Sequence, residues 1–120
     1  MRRARIIAPM KVKAVAFAVP NDRYEEAKAY FTKLIGSEPE EEILEFPKIK
    51  VARFSGGDTV VEVMTPSGEG SHIEGFLKRH GGGVVSITVE GVNAENFDVP
   101  LEKGGFLAPP FLSGAVIKVG

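Results

Sequence analysis

The chain has 120 residues, with 15 Lys and Arg against 16 Asp and Glu and a hydrophobic content of 43%. That length and mix describe one globular domain, and a net charge of −1 supplies no pull toward nucleic acid or an anionic membrane. Without cysteine there is no disulfide frame, thiol nucleophile or thiolate metal site, and His72 and His80 are the only imidazoles.

The opening MRRARIIAPM is basic, but its apolar run Ile6, Ile7, Ala8 is too short for a signal-peptide core. No stretch approaches the roughly 20 apolar residues of a membrane span. The expectation is a cytoplasmic protein whose residues 1–10 form a tail, with Met10 as an alternative start to Met1. Gln is absent, Asn is scarce and charged residues are plentiful, which is the composition of heat-adapted proteins.

Lys11–Val19, KVKAVAFAV, alternates a bulky face (Val15, Phe17, Val19) with a very small one (Ala14, Ala16, Ala18), as a strand does. The small face leaves room for a ligand or for close packing. Asn21 and Asp22 precede a helix over Arg23–Ile35, with Asp22 and Glu25 spaced as a capping box. Tyr24, Ala27, Phe31, Leu34 and Ile35 recur at helical spacing, and Gly36 supplies the left-handed stop. This stripe is expected to cover the Val15, Phe17 and Val19 face.

Glu40–Phe46 reads as a strand whose acids, Glu40 to Glu42, form a solvated edge that discourages edge pairing. Ile49–Phe54 and Asp58–Pro66 read as a hairpin closed by a two-residue Gly56-Gly57 turn. That turn sets Arg53 opposite Val60 and Val51 opposite Glu62, so Arg53 and Glu62 share a face diagonally. In DTVVEVMTP both faces are apolar except for Glu62, so the strand is expected to be covered on both sides.

Ser71 and Glu74 give a second capping box, and Ile73, Phe76, Leu77 and His80 share one helical side. His72 in the first turn reads as a surface residue, and His80 near the helix end as favourable to the dipole. Gly81 to Gly83 follow a helix and lead into a strand, so they serve as cap and turn and not as a phosphate loop. Val84–Glu90 is a strand with Val85, Ile87 and Val89 on one face and Ser86, Thr88 and Glu90 on the other. Val92–Phe97 reads as a short helix, Lys103–Pro110 as irregular, and Ser113–Val119 as the final strand.

The order is β-α-β-β-β, a helical link, then β, a degraded crossover and β. GGGVVSITVEGV echoes KVKAVAFAVPND. The stretches VAFAVPNDRYEEAKAYFTKLIGSEPE, FSGGDTVVEVMTP and IEGFLKRHGGGVVSITVEGV together resemble the vicinal oxygen chelate superfamily of glyoxalases and methylmalonyl-CoA epimerases, most nearly its epimerase branch. The resemblance implies an α+β fold of two βαβββ modules, the second degraded, whose sheets face a cleft. Module one would span about 11–66, the link 71–80 and module two about 83–120, in one domain over 11–120. A ferredoxin-like βαββ module is the alternative fold.

Family members usually hold a metal with two histidines, a Glu or Gln and a Glu. By pattern those positions are Ala14, Glu62, Ser86 and Lys118 here, so Glu62 alone is retained and the last position carries reversed charge. Alanine cannot ligate and an ammonium repels a divalent cation. The expectation is therefore no metal and no cofactor, with Glu62 paired to Lys118 and Arg53 instead. The implied cleft is lined by Ala14, Ala16, Arg53, Glu62, Met64, Ser86, Thr88 and Lys118. No histidine is placed to activate Ser86 as a nucleophile. The leading function is metal-free small-molecule binding. The alternatives are an epimerase or glyoxalase-like enzyme with Glu62 as base, and a protein-interaction module. Neither nucleic acid nor membrane is expected as a partner, and a homodimer is.

Overall fold

Alternation along KVKAVAFA builds a strand, β1 (Lys11–Ala18), with large side chains on one side and alanines on the other. The computed structural model describes residues 11–46, 48–91 and 105–119. After a 3₁₀ turn at Asn21–Arg23 come α1 (Tyr24–Ile35), β2 (Glu40–Leu44), β3 (Ile49–Ser55) and β4 (Val60–Pro66). Then follow α2 (Glu74–His80), β5 (Gly83–Glu90), β6 (Gly105–Leu107), a 3₁₀ turn at Pro110–Leu112 and β7 (Val116–Val119).

The strands form one sheet in the order β2-β3-β4-β1-β5-β7-β6. Its symmetry explains the echo between the two stretches of sequence. β1 runs parallel to β4 and β5 parallel to β7, while β1 and β5 pair antiparallel at the middle. β3 and β6 then add antiparallel outside β4 and β7. This is the two-module α+β architecture, with β2 extending only the first half. The short helix expected at Val92–Phe97, and the degraded crossover that contains it, fall largely on 92–104, outside the described residues.

The faces divide as the alternation requires. α1 lays Tyr24, Ala27, Phe31 and Ile35 on Ala52, Phe54, Val61 and Val63, and the Phe31 ring stands 5.3 Å from Phe17 and 6.1 Å from Phe54. Leu34, expected in that stripe, is 65% exposed. Gly36 ends the helix at φ +89°, a region that costs a side-chain-bearing residue energy. The opposite, small face takes α2: Ala16, Ala18, Val51 and Met64 pack with Ile73 and Phe76. The alanines of β1 are what let this second helix approach.

Several local expectations are corrected. The hairpin connection is four residues, Gly56 to Thr59, between paired Ser55 and Val60. Thr59 leaves the ladder because its hydroxyl donates to the Val12 carbonyl at 2.9 Å. The register therefore slips by two, which keeps every side chain on its expected face. Neither capping box forms as read. At α1 no side chain caps the first turn, and Asn21 Oδ1 accepts from the Thr65 hydroxyl at 2.7 Å. At α2 the Glu74 carboxylate accepts from the Gly70 N–H at 3.0 Å. β5 carries an irregularity between its Ser86 and Val84 pairings with β1, and Val85 consequently packs with the Ala16 and Met64 cluster, away from Ile87 and Val89. β7 is shorter than expected because Ser113 and Gly114 form a turn with positive φ. Among the described residues no helix is long and apolar enough to cross a membrane.

Candidate functional site

The register places Arg53, Glu62, Ala16, Ser86 and Val116 in one row across the sheet. Ala14, Thr88 and Lys118 form the adjacent row. Ala14, Glu62, Ser86 and Lys118 thus share one face within two neighbouring rows.

Of the two cations expected beside Glu62, Arg53 pairs with it and Lys118 does not. Arg53 stands directly opposite it, and Arg53 Nε donates to Glu62 Oε2 at 2.9 Å. Arg53 Nη1 also donates to Glu42 Oε1, so one guanidinium bridges carboxylates of β2 and β4. These two hydrogen bonds, that to Glu42 first and that to Glu62 second, hold the Arg53 guanidinium above its ordinary pKa. Glu62 and Lys118 form no ion pair among the described residues. The slipped register explains this, because it brings the β3 cation into direct contact where a diagonal one was expected. The acids of β2 are likewise more than a solvated edge: Glu41 accepts from the Tyr24 hydroxyl at 2.9 Å and from Lys28 at 3.1 Å. Lys28 chiefly, then Tyr24, depress the Glu41 pKa, and burial chiefly, then Glu41, raises that of Tyr24.

A cavity of about 370 Å³ opens beside these rows, between α2 and the β4, β5 and β7 strands. Met64, Phe76, Val85 and Val116 give it apolar walls, and Ser86 a hydroxyl. His72, Arg79 and Lys118 bring its charge-bearing groups, and among the described residues no Asp or Glu lines it. Of the cleft residues expected from sequence, Met64, Ser86 and Lys118 line this cavity. Ala14, Ala16, Arg53, Glu62 and Thr88 share the face without lining it. Ala16, 2% exposed, is sealed beneath α2.

His72, Gly75, Phe76 and Arg79 of the wall were missed by sequence reasoning, although they recur at i, i+3, i+4 and i+7. That stripe was legible in SHIEGFLKRH. The apolar residues Ile73, Phe76 and Leu77 drew attention to the neighbouring side instead. His80 Nε2–H donates to the Ser113 carbonyl at 2.6 Å, so it fastens α2 to the turn before β7. A groove of about 580 Å³ also runs along the outer side of α1, against Val19, Tyr30 and Phe31. It lies on the other face of the sheet, and Arg23 and Glu26 at its rim satisfy each other at 2.7 Å.

No protein-family model matches the chain. Over 109 residues it is 32% identical to the mitochondrial methylmalonyl-CoA epimerase of Bos taurus, a match covering 88% of this chain and 61% of that protein. The chain thus spans about three-fifths of that curated relative's length. The crystal structure of methylmalonyl-CoA epimerase from Mycobacterium tuberculosis shares its fold with a TM-score of 0.67 at 18% identity, over 99% of this chain and 91% of that one. The chain is thus similar in sequence to methylmalonyl-CoA epimerases and has their fold, that of the vicinal oxygen chelate superfamily. A second fold match is the Streptomyces coelicolor methylmalonyl-CoA epimerase in complex with 2-nitronate-propionyl-CoA, with a TM-score of 0.63 at 18% identity, covering 90% of this chain and 94% of that one.

The fold family implies a metal, and the residues here do not fit one. Of the four positions, Ala14 has no donor, Lys118 is a cation and Glu62 already accepts from Arg53. Among the described residues no three His, Asp or Glu side chains cluster closely enough to hold an ion. A divalent cation needs several hard or imidazole ligands.

Proposed function

We propose that this protein binds the acyl end of an anionic thioester of the methylmalonyl-CoA type, with fixed cations where other members of the superfamily place a metal. One observation carries the reading. The cavity takes in two of the four superfamily positions, Ser86 and Lys118, and among the described residues Arg79 and Lys118 line it and no carboxylate does. Apolar walls with a few convergent polar groups are the common form of a small-molecule site. The relatives' names supply the ligand class, and the cavity chemistry agrees with it: Met64, Val85 and Val116 suit a short aliphatic group, Lys118 an oxyanion. Thermal unfolding with methylmalonyl-CoA tests this. Ligand at a hundredfold excess over Kd stabilises the native state by about 2.7 kcal/mol. A rise in Tm for the wild type that is absent in Lys118→Glu is the expected result. No rise in the wild type contradicts the reading.

The alternative, that the bound acyl group is also epimerised, is favoured by the 32% identity to a methylmalonyl-CoA epimerase. It requires exchange of the proton at the carbon between the two carbonyl groups. Mass spectrometry of methylmalonyl-CoA incubated with the protein in D₂O measures that exchange, and a rate equal to the protein-free control counts against catalysis.

A further inference from the structure

The wall of the cavity holds a guanidinium in a prepared seat. Arg79 lies between Gly75 of α2 and Gly114 of the turn before β7. A Cβ on Gly114 would stand 2.6 Å from Arg79 Nη2 and 3.5 Å from its Cζ, and one on Gly75 would stand 3.3 Å from Nη1. The backbone at Gly114 has φ +105°, so any other residue there is strained, and its Cβ would displace the end of the Arg79 side chain. The turn is fixed to the helix by the 2.6 Å contact of His80 with the Ser113 carbonyl. The His80 ring is braced in turn by Phe76, 4.8 Å away. The seat is thus built from both sides of the cavity mouth, and it leaves the flat, five-donor guanidinium without a carboxylate partner among the described residues. Arg53, the other arginine on this face, is committed to two acids.

Resting on the thioester reading above, we infer that Arg79 is a specificity-determining residue that receives a free carboxylate on the acyl group. A guanidinium donates two parallel N–H bonds to a carboxylate, a geometry that an ammonium cannot reproduce. Lys118 contributes the second positive charge from β7, on the same cavity. At about 370 Å³ the cavity suits an acyl group of a few carbons and is too small for the nucleotide of coenzyme A, which stays outside. The ligand class is therefore a short-chain acyl thioester that carries its own carboxylate, chosen over the same chain without one.

Calorimetric titrations of methylmalonyl-CoA and propionyl-CoA separate this inference from the reading beneath it, because the two ligands differ by that carboxylate. The wild type is expected to prefer methylmalonyl-CoA by about tenfold or more, the worth of a charge-assisted pair. Arg79→Gln is expected to bring the two affinities within about twofold by weakening the first and sparing the second. Arg79→Lys restores the preference only in part. Gly114→Ala, which keeps Arg79 but obstructs its seat, lowers the preference as well. A wild-type preference that survives intact in Arg79→Gln overturns the assignment and leaves the thioester reading standing, as does equal binding of both ligands by the wild type. Binding of neither ligand by the wild type overturns both. The exposed position of Arg79 makes Arg79→Gln a variant that folds, and an unchanged circular dichroism spectrum verifies this.

Discussion

In the half of the sheet formed by β2, β3 and β4, Arg53 lies between Glu42 and Glu62. In the half formed by β5, β7 and β6, Lys118 has Thr88 and Phe106 as its cross-strand neighbours and, among the described residues, no ion-pair partner. The same contrast holds more widely. Among the described residues every ion pair falls within 23–62 except Lys13 with Glu90 at 3.9 Å, which joins β1 to β5. The first half spends its cations on its own acids, whereas the second leaves Arg79 and Lys118 facing a cavity. Charges that satisfy each other hold the fold. Cations left beside an apolar hollow are available to a ligand, and that is where a site is to be sought.

The comparison breaks most visibly in the cores. Phe54, fully buried beneath α1, should cost about 3–5 kcal/mol as Phe54→Ala in urea unfolding. Phe106, 68% exposed on β6, should cost less than about 0.5 kcal/mol as Phe106→Ala. Charge gives the sharper version. Arg53→Met leaves Glu42 and Glu62 without their shared donor, and a loss of about 1–3 kcal/mol is expected. Lys118→Met and Arg79→Gln should stay within about 0.5 kcal/mol of wild type, because among the described residues no carboxylate pairs with them. Equal losses from all three variants would show that the two halves do not differ in this way.

The smallest expected effect concerns acid. Lys28, followed by Tyr24, holds the Glu41 pKa below the ordinary carboxylate value. A depressed carboxylate stabilises the native state above its unfolded pKa, near about 4.3. That stabilisation fades as pH falls through the lower native value. The stability difference between wild type and Glu41→Gln should therefore be constant above about pH 5 and shrink below it. Glu41 is 39% exposed, so solvent screening keeps the difference small, within about 1 kcal/mol.

The fold was legible because its signals are periodic. The alternation in KVKAVAFAV and VVSITVE, the stripe of α1 and the glycine stops all stand in local sequence, and their order gave the two modules. The register of β3 on β4 was not legible. It depends on Thr59 bonding to Val12, a residue 47 positions away in the chain. The position of Val85 was hidden for a similar reason, since the irregularity in β5 arises from its pairing with β1. The site was half legible. Ser86, Met64 and Lys118 came from the family resemblance laid over strand alternation, while Arg79 enters through a turn at Gly114 that meets α2 only in three dimensions. Glu62 was rightly seen to need a cation, and Arg53 is the one that supplies it.

The most direct test of whether fixed cations stand in for a metal is one pair of calorimetric titrations of methylmalonyl-CoA. One uses protein stripped with EDTA, and the other the same protein resupplied with Mn²⁺. Because the four superfamily positions offer one carboxylate, already bound to Arg53, binding is expected in the stripped protein with the same Kd as in the resupplied protein. Binding that vanishes on stripping and returns with Mn²⁺ would contradict the account.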